Sequence, residues 1–149
     1  MKIALGSDHA GYRLKEEVAA LLRSDGYDFR DFGAFSDEPT DYPDIGRQVA
    51  EAVAGGEFDR GILVCGTGVG MSIVANKVRG IRAAVCSHEY TARISRRHND
   101  ANVLALGGRT LGPELAKEIV RVWLTNVFDP QERHVRRVGK IEPPATCGG

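Results

Sequence analysis

Two rhythms of apolar residues alternate along the chain. Short runs at Lys2–Leu5, Gly61–Cys65, Arg82–Cys86 and Asn102–Leu106 have strand length, and Tyr27–Phe32 alternates, with Tyr27, Phe29 and Asp31 on one side. Ile62-Leu63-Val64 shows no polar alternation at all, as expected of a strand buried on both faces. Between these runs the period lengthens to that of a helix. Leu14, Val18, Leu21 and Leu22 fall on one stripe, with Arg13, Lys15, Glu16 and Glu17 between them, and Asp25-Gly26 stops the segment. A loop rich in acidic residues and proline, Gly33 to Pro43, precedes a second helix marked by Ile45, Val49, Ala52 and Val53 and ended by Gly55-Gly56. A third runs from the glycines after Cys65 to near Gly80, and a short fourth covers Glu89–Arg97. Pro113 suits the first turn of a fifth, whose apolar face is Leu115, Ile119, Val122 and Trp123. Asp129-Pro130 begins a sixth that carries Arg133, His134, Arg136, Arg137 and Ile141.

Strand and helix in regular alternation predict an α/β domain, a doubly wound open parallel sheet of about five strands with helices on both faces. The domain is expected to span 1–142, with a flexible tail at 143–149. In such sheets ligands bind beyond the carboxyl ends of the strands, near the point where strand order reverses. The turns Ser7-Asp8-His9, Cys65 to Gly70 and Gly107 to Arg109 therefore share one edge.

Charge and cysteine usage narrow the partners. Twenty basic residues balance twenty acidic ones, so no global field points to nucleic acid or to a membrane surface. No apolar run approaches the roughly 20 residues of a membrane span, and the apolar start is too short for a signal peptide. Cysteines at 65, 86 and 147 fit neither a disulfide framework nor a C-x-x-C pair, which points to a reducing cytoplasm. Cys86, ending an apolar run, reads as packing, and Cys147 lies in the loose tail.

One stretch concentrates chemistry. A core strand runs into Cys65, and glycines follow at Gly66, Gly68 and Gly70 before a helix begins. Glycines allow a sharp turn and close approach to a bound group, while a helix start offers unpaired N–H groups that favour an anion or a thiolate. The spacing is not that of a dinucleotide fingerprint, since Met71 stands at the third glycine's offset, and no Walker lysine follows. Asp8 and His9 can bind sugar hydroxyls or move a proton, with helix capping as the plainer alternative for Asp8. Ser95 to Asn102, centred on His98 and Asn99, precedes the fifth strand and is expected near the same sheet edge; a solvated helix end is its alternative. Arg133 and Arg137, four apart on a helix, form either a phosphate clamp or an ordinary basic surface.

The segments Gly6-Ser7-Asp8-His9-Ala10-Gly11, Thr40-Asp41-Tyr42-Pro43, Cys65-Gly66-Thr67-Gly68-Val69-Gly70, Ala75-Asn76-Lys77, Arg97-His98-Asn99-Asp100-Ala101-Asn102 and Arg133-His134 with Arg137 together resemble the ribose/galactose-6-phosphate isomerase family, that of the type B ribose-5-phosphate isomerases. The likeness extends over residues 3 to about 141. It implies a Rossmann-like fold and a cytoplasmic aldose–ketose isomerase of the pentose phosphate pathway, without metal or other cofactor. It further implies a homodimer or dimer of dimers with sites at the subunit interface. Cys65 matches the family's proton-transfer base. Relatives of a second type carry glycine there and a glutamate at the position of Ala75, so this chain is of the cysteine type. Thr67 matches a residue that assists the proton transfer, and His98 the ring-opening acid/base. Asp8, His9, Gly66, Thr67, Gly68, Val69, Gly70, Asn99, Arg109, Arg133 and Arg137 match substrate or phosphate contacts. By this resemblance His98, Asn99 and Arg109 come from the neighbouring subunit. Ribose 5-phosphate is the expected substrate, with allose 6-phosphate or galactose 6-phosphate as alternatives, and a non-catalytic sugar-phosphate-binding module is the alternative of another class.

Overall fold

The apolar runs lie side by side in one sheet. A computed structural model describes residues 1–144. In chain order it comprises β1 (Lys2–Ser7), α1 (Tyr12–Ser24), β2 (Asp28–Asp31), α2 (Tyr42–Ala54), β3 (Arg60–Cys65), α3 (Val69–Asn76), β4 (Ala83–Val85), α4 (Glu89–Arg97), β5 (Val103–Gly107), α5 (Pro113–Thr125) and α6 (Glu132–Ile141). All pairings are parallel, in the order β2-β1-β3-β5-β4. Strand order reverses between β1 and β3, the position at which an open α/β sheet leaves a crevice.

The pleat sorts the core into two layers. Ile3, Leu5, Ile62, Val64, Leu104 and Leu106 pack with α1, α4 and α5, around Leu22, Ile119 and Trp123. Ala4, Leu63, Cys65, Val103 and Ala105 pack with α2 and α3, around Val49, Phe58 and Met71. Each fully buried aliphatic side chain contributes roughly 1.5–3 kcal/mol. A one-residue slip of β3 would exchange its two apolar sets, so burial also fixes which layer receives Cys65.

Some boundaries differ from the sequence pattern, each for a local reason. Pro43 lies inside the first turn of α2, where its missing N–H costs nothing, and so does not close the preceding loop. α6 starts at Glu132, because Asp129 is held in the connection, its N–H donating to Arg97 O (2.9 Å). α3 ends at Asn76, short of Gly80. The Asn76 amide takes both main-chain groups of Ala83, Oδ1 accepting from N–H (2.8 Å) and Nδ2 donating to the carbonyl (3.0 Å), which sets the start of β4. Lys15, expected among the polar residues of its helix, is fully buried, its Nζ donating to Asp31 of β2 and to Glu16. No helix among the described residues is long and apolar enough to cross a membrane. Residues 145–149, and with them Cys147 and most of the expected tail, lie outside the described residues.

Candidate active site

The turns leaving β1, β3 and β5 meet main chain to main chain at the carboxyl edge of the sheet. Gly108 N–H donates to Cys65 O (2.7 Å), Arg109 N–H to Gly66 O (2.9 Å) and Asp8 N–H to Val64 O (3.2 Å). Two glycines make this approach possible. A Cβ on Gly11 would stand 2.3 Å from Val64 O, and one on Gly108 would stand 2.7 Å from Ala10 O.

Cys65 ends β3 in the layer beneath α2 and α3 and is 5% exposed. Its Sγ accepts a hydrogen bond from Gly68 N–H (3.2 Å). Gly68 caps α3 with φ +82, the left-handed region that glycine enters without steric cost. Beyond it, Gly70 and Met71 occupy the first helical turn, where amides have no intrahelical acceptor and the dipole is positive. Thr67 is exposed, and its Oγ1 accepts from Val69 N–H (3.3 Å). The Arg109 side chain lies over Gly66, 3.6 Å from where a Cβ would be, so the absent side chain leaves room for the guanidinium. Asp8 is buried. Its Oδ1 accepts from Gly11 N–H (2.9 Å) and closes the turn before α1; the helix cap itself is Gly11, so the capping alternative for Asp8 is corrected to a turn-closing role. This edge therefore gathers Asp8, His9, Cys65, Gly66, Thr67, Gly68, Val69, Gly70 and Arg109. A sulfur, the amides at the start of α3 and a guanidinium are thus brought to one edge of the sheet, a set able to move a proton and hold a negative oxygen.

The loop before α2 ties this edge together. His9 N–H donates to Thr40 Oγ1 (3.2 Å), and Thr40 N–H donates back to His9 Nδ1 (3.1 Å). Two residues on, the Tyr42 ring lies against Gly70, where a Cβ would come within 2.8 Å of it. The segment Thr40-Asp41-Tyr42 thus straps the first turn to the glycine turn. Its signal in the sequence was only the Thr40-Asp41-Tyr42-Pro43 segment; no apolar rhythm or charge pattern gave these side chains a role.

His98 and Asn99 do not lie at this edge. α4 runs back to the amino ends of the strands, and the peptide beyond it is fixed there: Ala101 N–H donates to Ser95 O (2.9 Å) and Gly61 N–H to Asn102 O (2.9 Å). The length of β3, roughly 20 Å at 3.3 Å per residue, separates them from Cys65. The residues just before a parallel strand stand at its amino end, so the sequence expectation of a shared edge within one chain is corrected. It follows that Arg109, beside Cys65, cannot accompany His98 and Asn99 of the same chain into one site. Arg133 and Arg137 belong with the latter pair, on the exposed face of α6.

This second cluster has its own order. The His98 ring stacks on His134, centroids 4.3 Å apart. His134 is 3% exposed, its Nδ1 within 3.0 Å of Asp129 O and its Nε2 accepting from Arg133 Nε (3.4 Å). Partial burial, then the neighbouring His134 ring and the cations Arg133 and Arg97, hold the His98 pKa below the ordinary histidine value, against the pull of Asp129. The lowered pKa favours the neutral imidazole, a form able to take or give a proton. Sequence reading assigned nothing to His134; a histidine beside an arginine carries no mark of the stacking it makes. Cys86, by contrast, is an inert packing thiol, 1% exposed and pushed up to about 11 by burial, against the opposing hydrogen bond of Ser95.

Comparison with known proteins gives one picture. The sequence model of the Ribose/Galactose Isomerase family matches residues 3–141. The chain is 56% identical over 140 residues to ribose-5-phosphate isomerase B of Escherichia coli (strain K12), covering 94% of this chain and 93% of that protein. It is 47% identical over 133 residues to D-erythrulose-4-phosphate isomerase of Pectobacterium atrosepticum, covering 87% and 86%. The solved structure of Clostridium thermocellum ribose-5-phosphate isomerase B superposes with a TM-score of 0.93 at 60% identity, covering 95% of each chain.

Proposed function

Because the chain belongs to the ribose/galactose isomerase family, we propose that it interconverts ribose 5-phosphate and ribulose 5-phosphate at the Cys65 edge of its sheet. The observation that carries this reading is the Cys65 sulfur, hydrogen-bonded to Gly68 N–H where three turns and Arg109 converge. After ring opening, Cys65 takes the C2 proton of the aldose, and electrons move through C1–C2 onto the carbonyl oxygen to give an enediolate. The proton returns at C1, and Thr67 assists its movement between the hydroxyls. Amides of the Gly66–Gly70 turn and the start of α3 stabilise the oxyanion, and Asp8 and His9 hold the sugar. No metal or other cofactor takes part in this scheme.

Ring opening falls to His98, supplied with Asn99, Arg133 and Arg137 by a second copy of the chain. Their separation from Cys65 within one chain favours this arrangement. So do Val69 and Ile73, one turn apart on α3, which leave an apolar strip 51% and 56% exposed beside the glycine turn. A site completed across a symmetric dimer therefore serves the geometry that a single chain does not. The phosphate, gripped by the arginines, is a handle whose binding energy positions the reacting carbons.

The relative named for D-erythrulose 4-phosphate favours a second reading, a four-carbon sugar phosphate turned over by the same groups. Initial rates with ribose 5-phosphate and D-erythrulose 4-phosphate, with and without a chelator, test both. Turnover of ribose 5-phosphate with the higher kcat/KM, unaffected by chelation, is the expected result. Absence of turnover with either sugar would overturn the isomerase reading, and loss on chelation would overturn the metal-free scheme.

A further inference from the structure

We propose that Thr40 is a positioning residue that holds His9 with its Nε2–H as the donor offered to the substrate. What His9 touches rests on the isomerase reading; the latch itself does not. The pair is reciprocal, with one bond in each direction: His9 N–H to Thr40 Oγ1 (3.2 Å) and Thr40 N–H to His9 Nδ1 (3.1 Å). A neutral imidazole carries one proton, and the nitrogen that accepts cannot also donate. The Thr40 carbonyl also lies 3.2 Å from Nδ1 and would suit the opposite tautomer. The amide carries a single hydrogen, aimed at Nδ1, whereas the carbonyl has a second lone pair and is not left without a partner when Nδ1 carries no hydrogen. The amide therefore decides, and the proton sits on Nε2.

The surrounding chain keeps the latch shut. Upstream, the loop is pinned by Ala34 N–H to Ser7 O (2.7 Å) and Gly33 N–H to Asp31 Oδ1 (2.8 Å), with Asp31 held in turn by the buried Lys15. Downstream, α2 begins at Tyr42, whose ring sits against Gly70. Thr40 is thus fixed between two anchored points, and its hydroxyl orients the main chain of His9 while its amide orients the ring.

Two measurements test this. Long-range 1H–15N correlation spectra of the whole protein, at a pH where the His9 imidazole is neutral, report which nitrogen carries hydrogen. An Nε2–H signature is expected, and an Nδ1–H signature overturns the proposal. Kinetics of Thr40→Val and Thr40→Ser complete the test. Valine keeps the branched shape but removes the hydroxyl, so kcat/KM should fall roughly three- to tenfold, mainly through KM, as for one lost neutral hydrogen bond. Serine should restore it to within about twofold. Wild-type kcat/KM in Thr40→Val, or equal losses in both variants, would overturn the positioning role. If the wild type turns over no sugar phosphate, the isomerase reading fails while the tautomer still decides the latch. The tautomer decides it likewise should Thr40→Val not fold.

Discussion

Cys65 and His98 differ in how far a local reading reaches them. Everything that marks Cys65 is adjacent in the chain: a buried strand behind it, glycines after it, a helix start beyond. The structure supplies only the partner, Gly68 N–H on the sulfur. If Cys65 is the base, Cys65→Ala should lower kcat by about a hundredfold to ten-thousandfold with little change in substrate binding, checked by initial rates and by calorimetric titration. Near-normal turnover would mean that another group takes the proton. His98, in contrast, depends on residues distant in sequence. Its stacking on His134 and the charges of Arg133 and Arg97 were not legible from Arg97-His98-Asn99 alone. Because burial and these cations lower its pKa, an NMR titration should place the His98 midpoint below the ordinary value of about 6.5. Arg133→Gln, which removes one cation, should move the midpoint upward. An unchanged or lower midpoint would tell against the electrostatic account. The same shift has a sign for stability: folded His98 holds its proton less tightly than the unfolded chain, so it subtracts stability as pH falls through the ordinary value toward the folded one.

At the scale of elements, period and punctuation located each strand and helix of the described residues, since apolar burial on two layers imposes the pattern being read. What the pattern missed were side chains making long-range main-chain or ionic contacts. Asn76 ends α3 by bonding Ala83, and Lys15 turns inward to Asp31; neither partner is visible in a helical stripe. α6 is the element whose reading matters most for function. It carries Arg133 and Arg137 on an exposed face and buries only His134, so packing does not explain its basic residues. Arg136 is occupied by Glu132 (2.7 Å), which leaves Arg137 as the better-placed cation for a ligand. A charge-assisted bond to phosphate is worth about 1.5–3 kcal/mol, so Arg137→Ala should raise KM for ribose 5-phosphate on the order of tenfold to a hundredfold. Unphosphorylated ribose, lacking the dianion, should lose far less. Equal losses with both sugars would return α6 to the status of a solvated basic helix.

For the whole molecule, the decisive fact is that one chain holds the two halves of the proposed site at opposite ends of its strands. The resemblance anticipated a shared site, but the placement of His98 near the Cys65 edge of its own chain did not survive folding, because a parallel sheet sends every strand's preceding segment to the amino end. This geometry makes complementation the sharpest test. If the site is completed across a dimer, as proposed, Cys65→Ala and His98→Asn should each be inactive alone in the ribose 5-phosphate direction. A mixed dimer contains one site with both substitutions and one with neither. Co-refolding or subunit exchange of an equal mixture should therefore restore roughly a quarter of wild-type specific activity, since half the dimers are mixed and each carries one intact site. The signal should grow with exchange time and vanish if the dimers are crosslinked before mixing. A site built within one chain predicts no recovery under any mixing protocol, because each chain then carries a defect that its partner cannot repair. Recovery that needs no exchange would instead point to contamination by wild-type enzyme, which the crosslinked control reveals.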